Sequence, residues 1–254
     1  MKKSFIAAVL TVIVTLSCQN ENVTNCQDTI TEIVSLPPLT LSCEVQAQVR
    51  EEYTLDAYFL STMLLDELYG DSLRVEIPDE FIESNLKALS AILEFSENAN
   101  DSLAEFDIHE RLANDYYLTT IYLHLSEEEN AFDEWATSGT PTSNCDLNNL
   151  VEFYGLSYEN YKTFNDGTKY ITVQANSFLN TPALAKSFQS FDEVLSTDPA
   201  LYIGDGNSLR TWMENDQQVI EFGYGFGDCP AGCVFRRYWR YSINSLCEVE
   251  RYSL

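Results

Sequence analysis

The sequence predicts an α+β fold, helix-rich in its first half and mainly antiparallel β in its second. Three observations carry the prediction. Apolar residues recur at helical spacing between Thr54 and Leu93. From Tyr161 onward most apolar runs are short, rich in Tyr, Val and Ile, and broken by turn formers. The two patterns are segregated along the chain rather than alternating, and no internal repeat is present.

Thr54 to Tyr69 places Leu55, Phe59 and Met63 beside Leu60, Leu64 and Leu68, with Gly70 as the stop. Arg74 to Ile77 reads as a short strand. Pro78-Asp79 opens a second helix with Ile82, Leu86, Leu89 and Leu93 on one face. An acidic loop, Glu97 to Asp101, separates it from Phe106-Asp107-Ile108. Tyr116 to Leu125, rich in Tyr, Thr and Ile, reads as a strand, and Glu127 to Trp135 as a short helix. Ser138 to Ser143 carries the strongest linker signal and divides the body into residues 44–137 and 145–254.

The second half opens with a helix over Leu147 to Tyr154. Tyr161 to Phe164 and Lys169 to Gln174 flank a hairpin turn at Asp166-Gly167. Thr181-Pro182 starts a helix through Phe188, with proline at its first position. Strands are expected at Leu201 to Ile203, Gln218 to Phe222, Val234 to Ile243 and Cys247 to Tyr252.

Ahead of this body stands an export signal over residues 1–17. Lys2 and Lys3 precede an apolar run from Phe5 to Leu16, about 18 Å of helix against a hydrocarbon core of about 30 Å. A basic start, a short apolar core and a small residue before the cut describe a secretory signal. Thr15-Leu16-Ser17-Cys18 resembles the lipobox of bacterial lipoproteins, with Thr15 where leucine is usual. The resemblance implies a lipid on Cys18 and a membrane anchor, where ordinary cleavage would leave a plain cysteine. Gln19, with no Asp beside Cys18, favours the outer membrane in a two-membrane host. Residues 18–43, polar and containing Pro37-Pro38, read as a tether.

The 254 residues less a 17-residue signal leave 237, enough for one large domain or two small ones. Hydrophobic content of 45% supports a substantial core. The formal charge is −26, with 40 acids against 14 bases. A phosphate backbone is repelled by such a surface, which excludes nucleic acid as a partner. Seven cysteines, less Cys18, leave an even six, suited to an oxidising compartment. Six cysteines allow fifteen pairings. Local spacing favours Cys229 with Cys233, and then Cys26 with Cys43 and Cys145 with Cys247.

Tyr202 to Asn207, then Gly227-Asp228-Cys229-Pro230-Ala231-Gly232-Cys233, then Tyr238-Trp239 form the most distinctive segment. It resembles an uncharacterised family of secreted bacterial proteins that end in this cysteine loop and an aromatic strand. Val75 to Pro78 and Phe106 to His109 are similar to that family's first half. The family lends no reaction. The stretch from Lys169 to Ile203 is also similar in pattern to the propeptides of subtilisin-like proteases.

Arg236, Arg237 and Arg240 lie within five positions, interleaved with Phe235, Tyr238, Trp239 and Tyr241. In a strand, Arg236, Tyr238 and Arg240 share one face, and Arg237, Trp239 and Tyr241 the other. Arginine beside an aromatic ring can stack on a sugar or hold a carboxylate, so Arg236, Arg237, Trp239 and Arg240 are the candidate binding residues. The competing reading pairs these arginines with the protein's own acids.

No metal, cofactor or catalytic set is assigned. Cys229 and Cys233 lack further zinc ligands, and disulfides suit export better. Asp205-Gly206-Asn207 could offer oxygens to calcium but lacks a full ligand loop. Gly223 to Gly227 runs into Cys229-Pro230 and not into a helix, so it reads as a strand end rather than a phosphate loop. His109, between Asp107 and Glu110, and His124 read as structural. The expected function is a lipid-anchored envelope module that binds a polysaccharide, peptide or envelope protein. The alternative is a secreted hydrolase acting on extracellular polymer.

Overall fold

The computed structural model describes residues 39–70, 74–200, 205–229 and 232–252. The signal segment, Cys18, Cys26 and the strand expected at Leu201 to Ile203 lie outside them. Helix α1 (Ala47–Tyr69) begins two turns earlier than its apolar spacing suggests. Its opening turns carry only Val49 and Tyr53 as large apolar residues, and both are buried. Tyr53, Ala57, Leu60 and Leu64 then form one buried stripe, and the Gly70 N–H closes the helix on the Asp66 carbonyl at 2.8 Å. Helix α2 (Asp79–Asn98) follows Pro78 as expected and buries Ile82, Leu86, Leu89 and Ile92. Residues 74–77 form no strand. The Val75 carbonyl instead accepts from the Asn180 N–H at 2.8 Å.

The two helices pack on a sheet made from the end of the chain: β5 (Ser208–Glu214), β6 (Gln217–Phe226), β7 (Phe235–Ile243) and β8 (Val249–Arg251), in the order β5-β6-β7-β8. Ile220, Phe222, Trp239, Tyr241 and Ile243 meet Leu60, Leu86, Leu89 and Ile92 in one core. A buried polar bridge ties the layers together. Gln218 Nε2 donates to Asn85 Oδ1 at 2.7 Å, and Asn85 Nδ2 donates to Ser61 Oγ at 2.9 Å. Every partner is satisfied, so the bridge fixes registry without leaving a buried polar atom exposed to apolar surroundings.

The middle of the chain builds a second antiparallel sheet: β1 (Thr120–Leu125), β2 (Leu156–Thr163), β3 (Lys169–Ala175) and β4 (Val194–Pro199), ordered β2-β3-β1-β4. Helices α4 (Ala131–Ser138), α5 (Cys145–Phe153) and α6 (Thr181–Phe188) bring Phe132, Trp135, Leu147, Val151, Leu184 and Phe188 onto Ile121, Leu123, Ile171 and Val173. The α+β class therefore stands, but the division at residues 138–144 does not. Strand β1 lies between β3 and β4 from beyond that point, while α1 and α2 share their core with the last four strands. The linker signal is a short connection between α4 and α5. Its Thr142 is buried and donates its N–H to Asn148 Oδ1 at 2.7 Å.

Tyr116 to Leu125 is only half strand. Asn114 Oδ1 accepts from the Tyr117 N–H at 2.9 Å and nucleates helix α3 (Asp115–Thr119) before β1. The disulfide expectation is also revised. Cys229 and Cys233 are bonded, as their spacing suggested. Cys43, however, bonds Cys247, so neither the Cys26–Cys43 nor the Cys145–Cys247 pair exists, although Cys145 is disulfide-bonded. The reason lies in residues 39–43, which are part of the body and not of a tether. Leu41 is buried, Ser84 Oγ donates to the Leu39 carbonyl at 3.1 Å, and the Ser42 N–H donates to the Ser245 carbonyl at 3.1 Å. That path lays Cys43 against the turn holding Cys247. Among the described residues no helix is long and apolar enough to cross a membrane.

Candidate functional site

The distinctive motifs of the sequence converge at the loop end of the β6–β7 hairpin. Asp205 is their hub. Its carboxylate accepts from the Arg236 guanidinium, from the Cys233 N–H at 2.9 Å and from the Gly206 N–H at 2.9 Å. Its own N–H donates to the Cys229 carbonyl at 3.0 Å. The Arg236 guanidinium and these N–H donors hold the Asp205 carboxyl down to about 2. Asn207 Oδ1 accepts from the Gly225 N–H at 3.2 Å. Both calcium-donor candidates thus accept from backbone N–H groups of the loop and strand. A Cβ at Gly225 would collide with Cys233 Sγ, so this glycine is what lets the disulfide lie on the strand. Gly223 and Gly225 pair in regular register with Tyr238 and Arg236, and the strand ends at Phe226.

The four candidate binding residues separate into different roles. The two faces of β7 are as expected, but the inner face is covered. Trp239 is 1% exposed, packs against Phe106 at 5.3 Å and donates Nε1–H to Ser102 Oγ at 3.1 Å. It is a core residue. Arg237 lies over the Trp239 ring at 4.8 Å and donates to Ser102 Oγ at 2.7 Å. Arg240 donates to Glu221 Oε2 at 2.6 Å and sits over Trp212 at 5.1 Å. Arg236 and Arg240 are therefore paired with the protein's own acids, while Arg237, on the exposed rim, meets a hydroxyl and a ring.

Sequence reading missed the surface beside them. Val234 and Phe235 are 63% and 60% exposed, and Phe226 is 42% exposed. Phe226 and Phe235 stack across the hairpin at 5.3 Å, and Tyr224 and Phe106 continue the ladder inward at 5.8 and 4.7 Å. The register Phe226↔Phe235 puts both rings on the face that packs on the helices, but past the point where the helices end. The signal was the apolar pair at Val234-Phe235 directly after a cysteine, which periodicity alone assigns to a core.

His109 is held between two carboxylates. Nδ1 lies 2.6 Å from Asp56 Oδ2, and Nε2 lies 3.0 Å from Asp107 Oδ1. Asp56 is buried, and its second oxygen accepts from the Glu110 N–H at 2.6 Å. The Asp56 hydrogen bond raises the imidazole above its ordinary value against the opposing effect of burial. Both ring nitrogens are engaged by the protein's own carboxylates. His124 stands on β1, opposite Tyr170 and Ser196.

A groove of about 750 Å³ between α1, α2 and residues 39–41 is lined by Leu41, Tyr58, Ile82 and Leu86. Its Arg50 and Glu83 pair at 2.8 Å, and Lys87 donates to the Leu41 carbonyl at 3.1 Å, so these charges serve the fold. Comparison with protein-family models, with curated proteins and with solved structures finds no match to this chain.

Proposed function

We propose that this protein is an exported, lipid-anchored cell-envelope module that binds a partner through the end of the β6–β7 hairpin. The observation that carries the reading is the cluster of Phe226, Val234 and Phe235, exposed together on a chain of charge −26. Exposed apolar side chains gathered in one place on a soluble surface mark contact sites. The Cys229–Cys233 bridge and the Asp205 hub hold these side chains in place, which lowers the entropy cost of binding. The disulfides suit an oxidising compartment, and the Cys18 context supplies the anchor. The hydrolase alternative draws no support from His109, whose two nitrogens are both engaged.

The test is site-specific photo-crosslinking in intact cells. A photoreactive residue at Phe235 should trap a discrete envelope partner. One at Leu246, exposed at the other end of β7, should not. Equal labelling from both positions, or none from either, removes the reading. Mass spectrometry of the mature N-terminus should find diacylglyceryl on Cys18.

A further inference from the structure

The ladder of rings at the hairpin end leads to a cavity. Phe226 and Phe235 stack at 5.3 Å, Tyr224 follows Phe226 at 5.8 Å, and Phe106 follows Tyr224 at 4.7 Å. The first two rings are exposed, and the last two are half-buried. Phe106 also lines a cavity of about 400 Å³ between the start of α1, the end of α2 and residues 104–107. One continuous surface therefore runs from Phe235 to that cavity, with no step between neighbouring rings longer than 5.8 Å.

The wall of the cavity is negative. Glu52, Glu97, Glu105 and Asp107 line it, and all four are exposed. Glu52 accepts from Gln48 Nε2 at 3.2 Å, but among the described residues no lysine or arginine pairs with Glu52, Glu97 or Glu105. His109, 4.3 Å from the Tyr53 ring, is already engaged by Asp56 and Asp107. Tyr53 registers the local potential. Burial first, and then the charges of Asp107, Asp56 and Glu52, push its hydroxyl up. Nearby on β7 the protein does pair its charges, Arg236 with Asp205 and Arg240 with Glu221. Among the described residues no three acids or histidines gather as a metal ion requires, so these carboxylates form a spread rim.

We infer that this surface receives a segment of a partner protein that carries a lysine or arginine a few residues from an apolar side chain. The inference rests on the binding reading above and specifies the partner. The apolar side chain covers Phe226 and Phe235, and the cationic one enters the cavity between the carboxylates and the Phe106 ring. Exposed rings alone admit any apolar surface, and the carboxylates beside them decide the charge of what covers them. The length of the ladder suits a segment of about five extended residues. Arg237 sets its direction. It stands on β7 between Phe235 and Trp239, exposed and opposite Tyr224, and repels a cation from the hairpin end. The formal charge of −26 attracts a basic partner from a distance and disfavours a second copy of this chain.

The probe is a phage-displayed library of short random peptides selected on the intact protein, followed by synthesis of an enriched sequence. Enriched peptides should carry lysine or arginine together with an apolar residue. Because any acidic protein attracts cations, the location is tested with two variants of equal charge. One combines Glu52→Gln, Glu97→Gln and Glu105→Gln in the cavity. The other combines Glu127→Gln, Glu128→Gln and Glu129→Gln, exposed between β1 and α4. The cavity variant should bind the peptide about tenfold more weakly than the other, and Phe235→Ala should weaken binding as well. Added salt should reduce the affinity of the unsubstituted protein more than that of the cavity variant. Should the urea midpoint of the cavity variant fall, Glu105→Gln alone against Glu128→Gln alone makes the comparison. Equal affinity of the paired variants, or enrichment of neutral or acidic peptides, overturns the inference. If no peptide is enriched while Phe235 still crosslinks an envelope partner, the inference fails and the binding module stands. Loss of that crosslink as well removes both.

Discussion

Cys43 and Cys247 are bonded across 204 residues, which fastens the entry of the chain to the turn between β7 and β8. The same junction carries the Ser42 to Ser245 backbone hydrogen bond and the buried Leu41. A bridge that closes so long a loop restrains the unfolded chain more than a local one does. Replacing both cysteines by serine should cost about 2–5 kcal/mol, read from the urea midpoint with the other bridges intact. An unchanged midpoint would show that packing of residues 39–45 holds the junction without the bond.

His109 ties the loop before α3 to helix α1 through Asp56. Its folded value is raised above the ordinary 6.5, first by the Asp56 hydrogen bond and then by the charges of Asp56 and Asp107. The stabilisation is fully present below about pH 6.5, where the unfolded histidine is also protonated, and is lost as pH rises through the folded value. NMR titration should place the His109 midpoint above 6.5. In Asp56→Asn the midpoint should fall, and the loss of stability on the alkaline side should shrink. A His109 midpoint below 6.5 in the unsubstituted protein would reverse the assignment.

How much of this was legible beforehand depends on where each residue's partner lies in the chain. Periodicity located α2 and α6 closely, since Ile82, Leu86 and Leu89, or Pro182 at a helix start, report on their own neighbours. The Cys229–Cys233 bond followed from spacing for the same reason. Strand β5 was not foreseen because Arg210, Thr211 and Glu214 give it a polar surface, and its edge is satisfied by Glu67 and Glu110 from far away in sequence. Cys43 was assigned to a tether because nothing local shows that residues 39–43 lie on α2. The site was legible as a place and not as a surface. The arginine cluster marked β7, but periodicity could not show that Trp239 lies under Phe106 while Phe235 overhangs the helices.

Trp239 and Arg237 should separate cleanly when tested. Trp239→Ala removes a fully buried ring and leaves Ser102 without its indole donor, for a loss of about 3–5 kcal/mol in urea unfolding. Arg237→Ala removes an exposed guanidinium from the same ring and should cost no more than about 1 kcal/mol. Crosslinking at Phe235 should survive the arginine change if the apolar surface carries the contact. Similar losses of stability from both variants would mean that Arg237 is part of the core as well.

Asp205 joins three pieces that sequence keeps apart: its own segment, the Cys229–Cys233 loop and strand β7. Asp205→Asn retains an oxygen acceptor but loses the charge that holds Arg236. Asp205→Ala loses both. Amide exchange at Cys233 should therefore rise modestly in the first variant and by about tenfold or more in the second, while exchange in α2 stays unchanged. The pH dependence has a fixed sign. Because Arg236 and two N–H donors lower the Asp205 carboxyl to about 2 from the ordinary 3.8, its contribution is present above 3.8 and is lost as pH falls toward 2. Cys233 protection in the unsubstituted protein should decline across that acidic window and in neither variant, since neither retains a titrating group at position 205. If all three proteins decline together below pH 3.8, another carboxylate holds the loop, and Asp205 is only its neighbour.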